Sequence, residues 1–206
     1  APARPAPADY GARVWAWLDA LDAGAGPITL VGHSLGAIMA AAAVAQRPAA
    51  VGRLVLLSPA RGYATAEPAE RERRRDERLQ NLRNLGAEGM ARRRVAAMLS
   101  PTASDADRDW VRTLMAQVRP EGYAQATHLL ADSDLARALE GLRTPAVVAS
   151  GAADAITPPA ACEALARGAG LPYRSLGAVG HVCALEAADA VNRLRAEDKE
   201  TQGDKS

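Results

Sequence analysis

Residues 28–46 constrain the fold of this chain more than any other stretch. Ile28-Thr29-Leu30-Val31 is an aliphatic, β-branched run. Gly32-His33-Ser34-Leu35-Gly36 breaks it with Gly-x-Ser-x-Gly, and the alanine-rich residues 37–46 read as a helix. Strand, tight turn and helix in that order set a serine on a strained bend with its hydroxyl exposed. Gly32 and Gly36 have no Cβ, so strand and helix are expected to crowd around it. The new helix aims free backbone N–H groups at negative charge, which suits an oxyanion. The pentapeptide alone fits an ordinary tight β–α turn as well; its flanking strand and helix favour a nucleophile.

A serine hydroxyl is a poor nucleophile at neutral pH without a base, normally an imidazole oriented by a carboxylate. The chain has three histidines, His33, His128 and His181. His33 adjoins Ser34 and its side chain should diverge from it. His128 lies in the helical Gln125-Ala126-Thr127-His128-Leu129-Leu130 and reads as a half-buried helix histidine. His181 follows a short strand-like run, 172–176, and the flexible Gly177-Ala178-Val179-Gly180, and precedes an amphipathic helix over 183–195. It is the better base. Ala146-Val147-Val148-Ala149-Ser150, between Pro145 and Gly151, reads as a buried strand, and Asp154 stands in the turn beyond it. An ordinary turn aspartate is the alternative. The preceding strand, 53–57, runs into Ser58-Pro59-Ala60 and offers no acid.

The order Ser34, Asp154, His181 is that of the α/β-hydrolases and not of the other serine-triad folds. The chain resembles that superfamily from about residue 9 to residue 195. Val118-Arg119-Pro120-Glu121-Gly122-Tyr123-Ala124-Gln125-Ala126 with Asp132-Ser133-Asp134-Leu135, and Gly180-His181-Val182-Cys183-Ala184-Leu185-Glu186 leading to Val191-Asn192, resemble its 3-oxoadipate enol-lactonase-like branch. The resemblance implies a parallel sheet with flanking helices and an all-helical cap. It implies a nucleophile at Ser34, an acid at Asp154, a base at His181 and the Leu35 N–H as an oxyanion donor.

The helical insertion is legible in the periodicity. From Glu67 to about Leu139 only helical patterns occur, with breaks expected at Gly86, Gly89, Pro101 and Pro120, and Ser104 caps the helix containing Trp110 and Leu114. Three segments follow: a first core part with the elbow over 1–60, the cap over 61–143, and a second core part with the acid and base loops over 144–206. Cap residues Met98 and Trp110, and His33 beside the nucleophile, are the expected substrate contacts. Arg71, Arg73, Arg74, Arg75 and Arg78 interleave with acids, which reads as a solvated helix with i,i+4 pairs. Arg92-Arg93-Arg94 lacks adjacent acids, and an arginine reaching down to a substrate carboxylate would suit enol-lactonase-like activity.

Composition excludes other classes. The net charge is +1 with mixed signs, so nothing marks a nucleic-acid partner. No membrane-span-length run or leader is visible. Cys162 and Cys183 read as reduced core thiols of a cytoplasmic protein, and no zinc-ligand spacing occurs. The core must be built from Leu, Val and Ala, because there is no Phe and only three Trp and four Tyr. Neither metal nor cofactor is called for, and homo-oligomerisation is left open. Residues 1–8, with three prolines, read as extended, and the polar tail after 195 as frayed.

The chain departs from the family pattern at its start. Four strands and an oxyanion donor usually precede the elbow strand, whereas only 27 residues precede Ile28, with one helix and no strand. An N-terminally truncated chain is the expectation, with the elbow strand at an exposed edge. Losing one oxyanion donor costs about a hundredfold to a thousandfold in turnover. The resulting expectation is a serine hydrolase of a small ester or lactone. The alternatives are a carbon–carbon bond hydrolase on the same triad and a catalytically impaired fragment.

Overall fold

The computed structural model describes residues 4–21 and 26–196. The very start of the proline-rich segment (1–3) and the tail over 197–206 lie outside the described residues. Helix α1 (Pro7–Ala20) begins inside the stretch expected to be extended. Pro7 and Pro5 do not prevent it, because a proline at the first helical position loses only an N–H that has no helical acceptor. The Asp9 carboxylate accepts the Ala6 N–H at 2.8 Å and closes the first turn.

Four strands follow the aliphatic runs: β1 (Ile28–His33), β2 (Val51–Leu57), β3 (Ala146–Ser150) and β4 (Tyr173–Ser175). They form one parallel sheet in sequential order, with β1 at one end. His33 pairs with Leu57, Leu57 with Ala149 and Ser150 with Ser175, so the strands' carboxyl ends are level. The loops that leave them therefore open onto the same side, where ligands bind in open parallel sheets.

Period-2 alternation divides β2 between two cores. Leu54 and Leu56 join one cluster, with Trp15, Ile38, Val44 and Leu165 from helices α1, α2 (Gly36–Gln46) and α7 (Pro159–Gly168). Val55 and Leu57 join the other, with Cys183, Val191 and Leu194 from α8 (Cys183–Glu186) and α9 (Ala188–Ala196). Burial on both faces explains why β2 is apolar nearly throughout. In place of phenylalanine, a single tryptophan anchors α1. Trp15 is 5% exposed, its indole N–H donates to the Ala43 carbonyl at 2.8 Å, and Arg47 lies over its ring. The helix expected over 183–195 divides at Ala187, whose backbone is non-helical.

Between β2 and β3 the chain is helical, in α3 (Pro68–Met98), α4 (Asp105–Ala116), α5 (Pro120–Asp132) and α6 (Leu135–Ala138). Gly86, at φ 63°, kinks α3, while Gly89 stays helical. Ser104 caps α4, accepting the Asp107 N–H at 3.1 Å. Leu135 and Leu139 join the first core cluster, so the insertion returns to the sheet before β3 starts. Among the described residues no helix is long and apolar enough to cross a membrane.

The elbow glycines divide. A Cβ on Gly32 would sit 2.7 Å from the Ala37 Cα and from the Gly36 carbonyl, so strand and helix meet there only without a side chain. A Cβ on Gly36 would meet nothing within 4 Å, which corrects the expectation that both are required by crowding. Gly32→Ala should therefore destabilise the chain by about 1–3 kcal/mol through overpacking. Gly36→Ala should be neutral or stabilising, by up to about 1 kcal/mol of helix propensity. Urea unfolding of the two variants measures the contrast, and equal losses would show that the crowding lies elsewhere.

Candidate active site

Ser34 follows β1 directly with φ at 52°, a left-handed conformation rare outside glycine. Backbone bonds hold it there: its N–H donates to the Leu57 carbonyl at 3.0 Å, and its own carbonyl accepts from Ala37 and Ala60 at 3.1 Å each. The strain, of order 1–3 kcal/mol, is thus balanced by neighbours on β2 and α2. Leu35 is the N-cap of α2 and lines the same cavity as Ser34. Among the described residues Ser34 Oγ makes no hydrogen bond.

The acid and base loops converge on the far side of β2. His181 Nδ1 donates to Asp154 Oδ2 at 2.9 Å, and both residues are buried. The other oxygen, Asp154 Oδ1, accepts the N–H groups of Ile156 and Thr157 at 2.8 Å each. Thr157 Oγ1 stands 2.7 Å from Asp154 Oδ2, 3.1 Å from the Ser58 carbonyl and 3.2 Å from His181 Nδ1. Burial would raise the Asp154 pKa, but the His181 hydrogen bond and the Thr157 backbone N–H outweigh it and hold the carboxyl well below its usual range. The carboxylate takes up Nδ1–H, so the lone pair of His181 is at Nε2.

Three further residues place His181. His33 Nε2 lies 2.8 Å from the His181 carbonyl. A carbonyl only accepts, so His33 carries its proton on Nε2. Burial, then the neighbouring His181, lower the His33 pKa below 6.5. The Glu186 carboxylate accepts the Gly180 N–H at 2.8 Å and the Ser100 N–H at 3.1 Å, and Val182 N–H donates to Met98 O at 3.0 Å. These bonds tie the base loop to the end of α3. Sequence reasoning does not find Thr157 and Glu186, because the contacts that tie them to His181 and to Ser100 span 24 and 86 residues. The only available sign was a hydroxyl three residues past a turn aspartate.

A cavity of about 550 Å³ lies between the strand-end loops and the inserted helices. Ser34, Leu35 and His181 form part of its wall on one side, and Arg78, Arg94 and Met98 of α3 on the other. Met98 is thus where a substrate contact was expected. His33 does not line the cavity; its ring is turned to the His181 backbone, which replaces the expected substrate contact with a supporting one. Trp110 does not line it either. It is 57% exposed on α4, because the face of α4 that packs on α3 carries Val111. The expectation of a Trp110 contact is therefore corrected. His128 is half-buried on α5, away from the cavity wall. Cys162 and Cys183 are both buried free thiols, and burial raises their pKa values.

The sequence matches the alpha/beta hydrolase family over residues 2–194. No curated protein matches it. Among solved structures it is similar to a thermophilic esterase from Thermogutta terrifontis, in a malate-bound form, with a TM-score of 0.80 at 24% identity, over 94% of this chain and 72% of the esterase. It is similar to the enol-lactonase from Burkholderia xenovorans LB400, with a TM-score of 0.75 at 23% identity, over 91% and 70%. A bromoperoxidase from Bacillus anthracis follows, with a TM-score of 0.73 at 15% identity, over 91% and 73%. At these identities the likeness is one of fold.

The lowered pKa of Asp154 sets a pH dependence of stability. The unfolded carboxyl binds its proton near 3.8 and the folded one only at lower pH. Between those values the unfolded state holds more protons, so stability is lost as pH falls through that window and is fully present above it. Asp154→Asn should cost about 1–3 kcal/mol at neutral pH from unpaired buried donors. The urea stability curves of wild type and variant should run parallel above about pH 5 and converge below pH 3.8. Curves that stay parallel into acid would show that the carboxylate is not held by these bonds.

Proposed function

We infer the function from two facts: the chain belongs to the alpha/beta hydrolase family, and one cavity is lined by a strained serine and by a histidine paired with a buried carboxylate. The reading is a serine hydrolase of a small carboxylic ester or lactone, with Ser34, His181 and Asp154 as its triad. The observation that carries it is Ser34 and His181 on the wall of one cavity, with His181 Nδ1 committed to Asp154.

The chemistry follows from that proton arrangement. Ser34 Oγ attacks the carbonyl carbon while His181 Nε2 takes its proton, and Asp154 stabilises the resulting imidazolium. The Leu35 N–H, at the start of α2, donates to the oxyanion. As the tetrahedral intermediate collapses, the ester C–O bond breaks and the leaving oxygen takes the proton from Nε2. In a lactone that oxygen stays tethered to the acyl chain. Water then gives a proton to Nε2, attacks the acyl-enzyme, and releases the acid with Ser34 restored. The missing Ser34 Oγ hydrogen bond is compatible with this path, since catalytic hydrogen bonds commonly tighten only when substrate binds.

The insertion supports the choice of a small substrate: α3 and α5 roof the cavity, and about 550 Å³ suits a compact molecule. An enol-lactonase-like activity within this class is supported by the likeness to the Burkholderia enzyme. Two buried thiols, Cys162 and Cys183, support a reducing compartment, the cytoplasm.

Hydrolysis of p-nitrophenyl acetate tests the reading, with Ser34→Ala as the comparison. Wild type should turn over, and Ser34→Ala should lose activity by about 10³-fold or more. Asp154→Asn should lose about 10⁴-fold through the wrong imidazole tautomer. A fluorophosphonate probe should label wild type at Ser34 only. Folded wild-type protein that neither hydrolyses the ester nor takes up the probe would falsify the proposal.

A further inference from the structure

Two features behind the acid–base pair play no part in the proposed reaction. One is Ser58, which follows β2 with φ at 44° and is fully buried. Such strain persists only where the surroundings impose it. The other is the Thr157 hydroxyl. Its oxygen stands 2.7 Å from Asp154 Oδ2, 3.1 Å from the Ser58 carbonyl and 3.2 Å from His181 Nδ1. The left-handed turn at Ser58 thus leaves a main-chain carbonyl beside the acid–base pair, with Thr157 between them.

The proton of that hydroxyl can be placed. Oδ2 and the Ser58 carbonyl are acceptors only, and a hydroxyl has one proton. Two oxygens 2.7 Å apart need a proton between them, and an ionised carboxylate is the stronger acceptor. Thr157 therefore donates mainly to Asp154 Oδ2, with the Ser58 carbonyl as the weaker branch. His181 Nδ1–H donates to the same Oδ2 at 2.9 Å. One carboxylate oxygen serves two donors, while Oδ1 is taken up by the N–H groups of Ile156 and Thr157. Burial raises the Asp154 pKa, but the His181 bond, the Thr157 N–H and, last, the Thr157 hydroxyl hold it below the usual range. The carboxylate hence stays ionised when the hydroxyl alone is removed.

We propose that Thr157 is a positioning residue that acts through Asp154. Its hydroxyl shares Oδ2 with the imidazole, which fixes the rotation of the carboxylate and weakens its pull on the Nδ1 proton. The effect on turnover rests on the serine-hydrolase reading, whereas the sharing of Oδ2 does not. A base that takes a proton from Ser34 and returns it to the leaving oxygen works best when neither direction is strongly favoured. Removing the hydroxyl leaves Oδ2 to the imidazolium alone, so the protonated, inactive form of the base persists to higher pH. The other titratable groups around the pair are His33 on β1, Cys162 on α7, and Cys183 and Glu186 on α8. The arginines and Asp134 on the cavity wall face it across the opening. None of them changes with Thr157, so a difference between two pH profiles reports the hydroxyl.

The pH dependence of kcat/KM for p-nitrophenyl acetate supplies the first test. Thr157→Val keeps the backbone N–H and the branched shape but has no hydroxyl. Its acid limb should lie about one pH unit above that of wild type, the worth of one charge-assisted hydrogen bond. At the pH optimum kcat should fall about tenfold, with KM little changed. Thr157→Ser keeps the hydroxyl and should return the limb to its wild-type position. A second measurement needs no turnover. It follows the Nδ1–H proton resonance in protein isotopically labelled at histidine nitrogen, assigned by its absence from His181→Gln. The resonance should move downfield in Thr157→Val, where Nδ1–H has no competitor for Oδ2, and return in Thr157→Ser. Circular dichroism reports folding, and Thr157→Ala carries the same comparisons if Thr157→Val does not fold. An active Thr157→Val with an unmoved limb overturns the positioning role and leaves the hydrolase standing. Wild type that does not hydrolyse the ester overturns the reaction, and the resonance then decides alone. A downfield move supports the shared oxygen, and an unchanged resonance overturns it.

Discussion

The site depends on how the base loop is fastened. His181 sits between two strands of attachment: its ring is held by Asp154, and its backbone by His33 and by the bonds around Glu186. Glu186 is placed to do this by α8, the first turn after the loop, and its two oxygens reach Gly180 on one side and Ser100 on the other. Gly180 tolerates that closeness because it has no side chain; a Cβ there would lie 2.5 Å from the Leu99 carbonyl carbon. The junction between the inserted helices and the core is therefore also the support of the imidazole. A shift of α3 would be felt at His181 through Val182 and Ser100 without any change at Asp154.

Much of this was legible in residues alone. The β1–elbow–α2 unit declares itself because its apolar periodicity changes from strand to helix across one glycine-bounded turn, and β1 and α2 appear where those patterns lie. Asp154 and His181 are legible because each follows a short apolar or strand-like run and a Gly-containing turn. Their pairing is a consequence of strand order: β3 and β4 are adjacent, so the loops leaving them are neighbours. Local patterns carry such information whenever the contact is dictated by sheet topology.

What stayed hidden are contacts that no local pattern encodes. The inward turn of Arg78 is one. In the sequence it belongs to a run of alternating charge, with Glu77 beside it but no acid three or four residues away. Helical rotation then divides the arginines, leaving Arg73 paired with Glu70 and Arg78 turned toward Tyr63. Tyr63 lies before α3 in the loop after β2, and its position depends on the backbone bond from its N–H to Leu130 on α5. His33 is another. Its divergence from Ser34 was legible, but its acceptor, the His181 carbonyl, is 148 residues away. Trp110 shows the converse error, since large apolar side chains on an amphipathic helix suggest burial that α4 gives to Val111 instead.

The two halves of the cavity differ in how they are held. Ser34 and Ser58 both adopt left-handed φ, at 52° and 44°, at the ends of neighbouring strands. Each is fixed by bonds from the strand beside it: Ser34 N–H to Leu57 and Ser58 N–H to Ala149. Strained residues persist only where the surroundings over-determine them, so this side must move little. The roof has no such constraint. Its main element, α3, contains a glycine kink at Gly86, and the outward ion pairs along it are exposed and individually weak. The sheet side thus holds Ser34 and the His181–Asp154 pair in fixed positions. The helical side presents charge and volume from an element that exchanges side chains at little cost to the core. In the proposed reaction, chemistry and substrate choice would therefore fall to different parts of the fold.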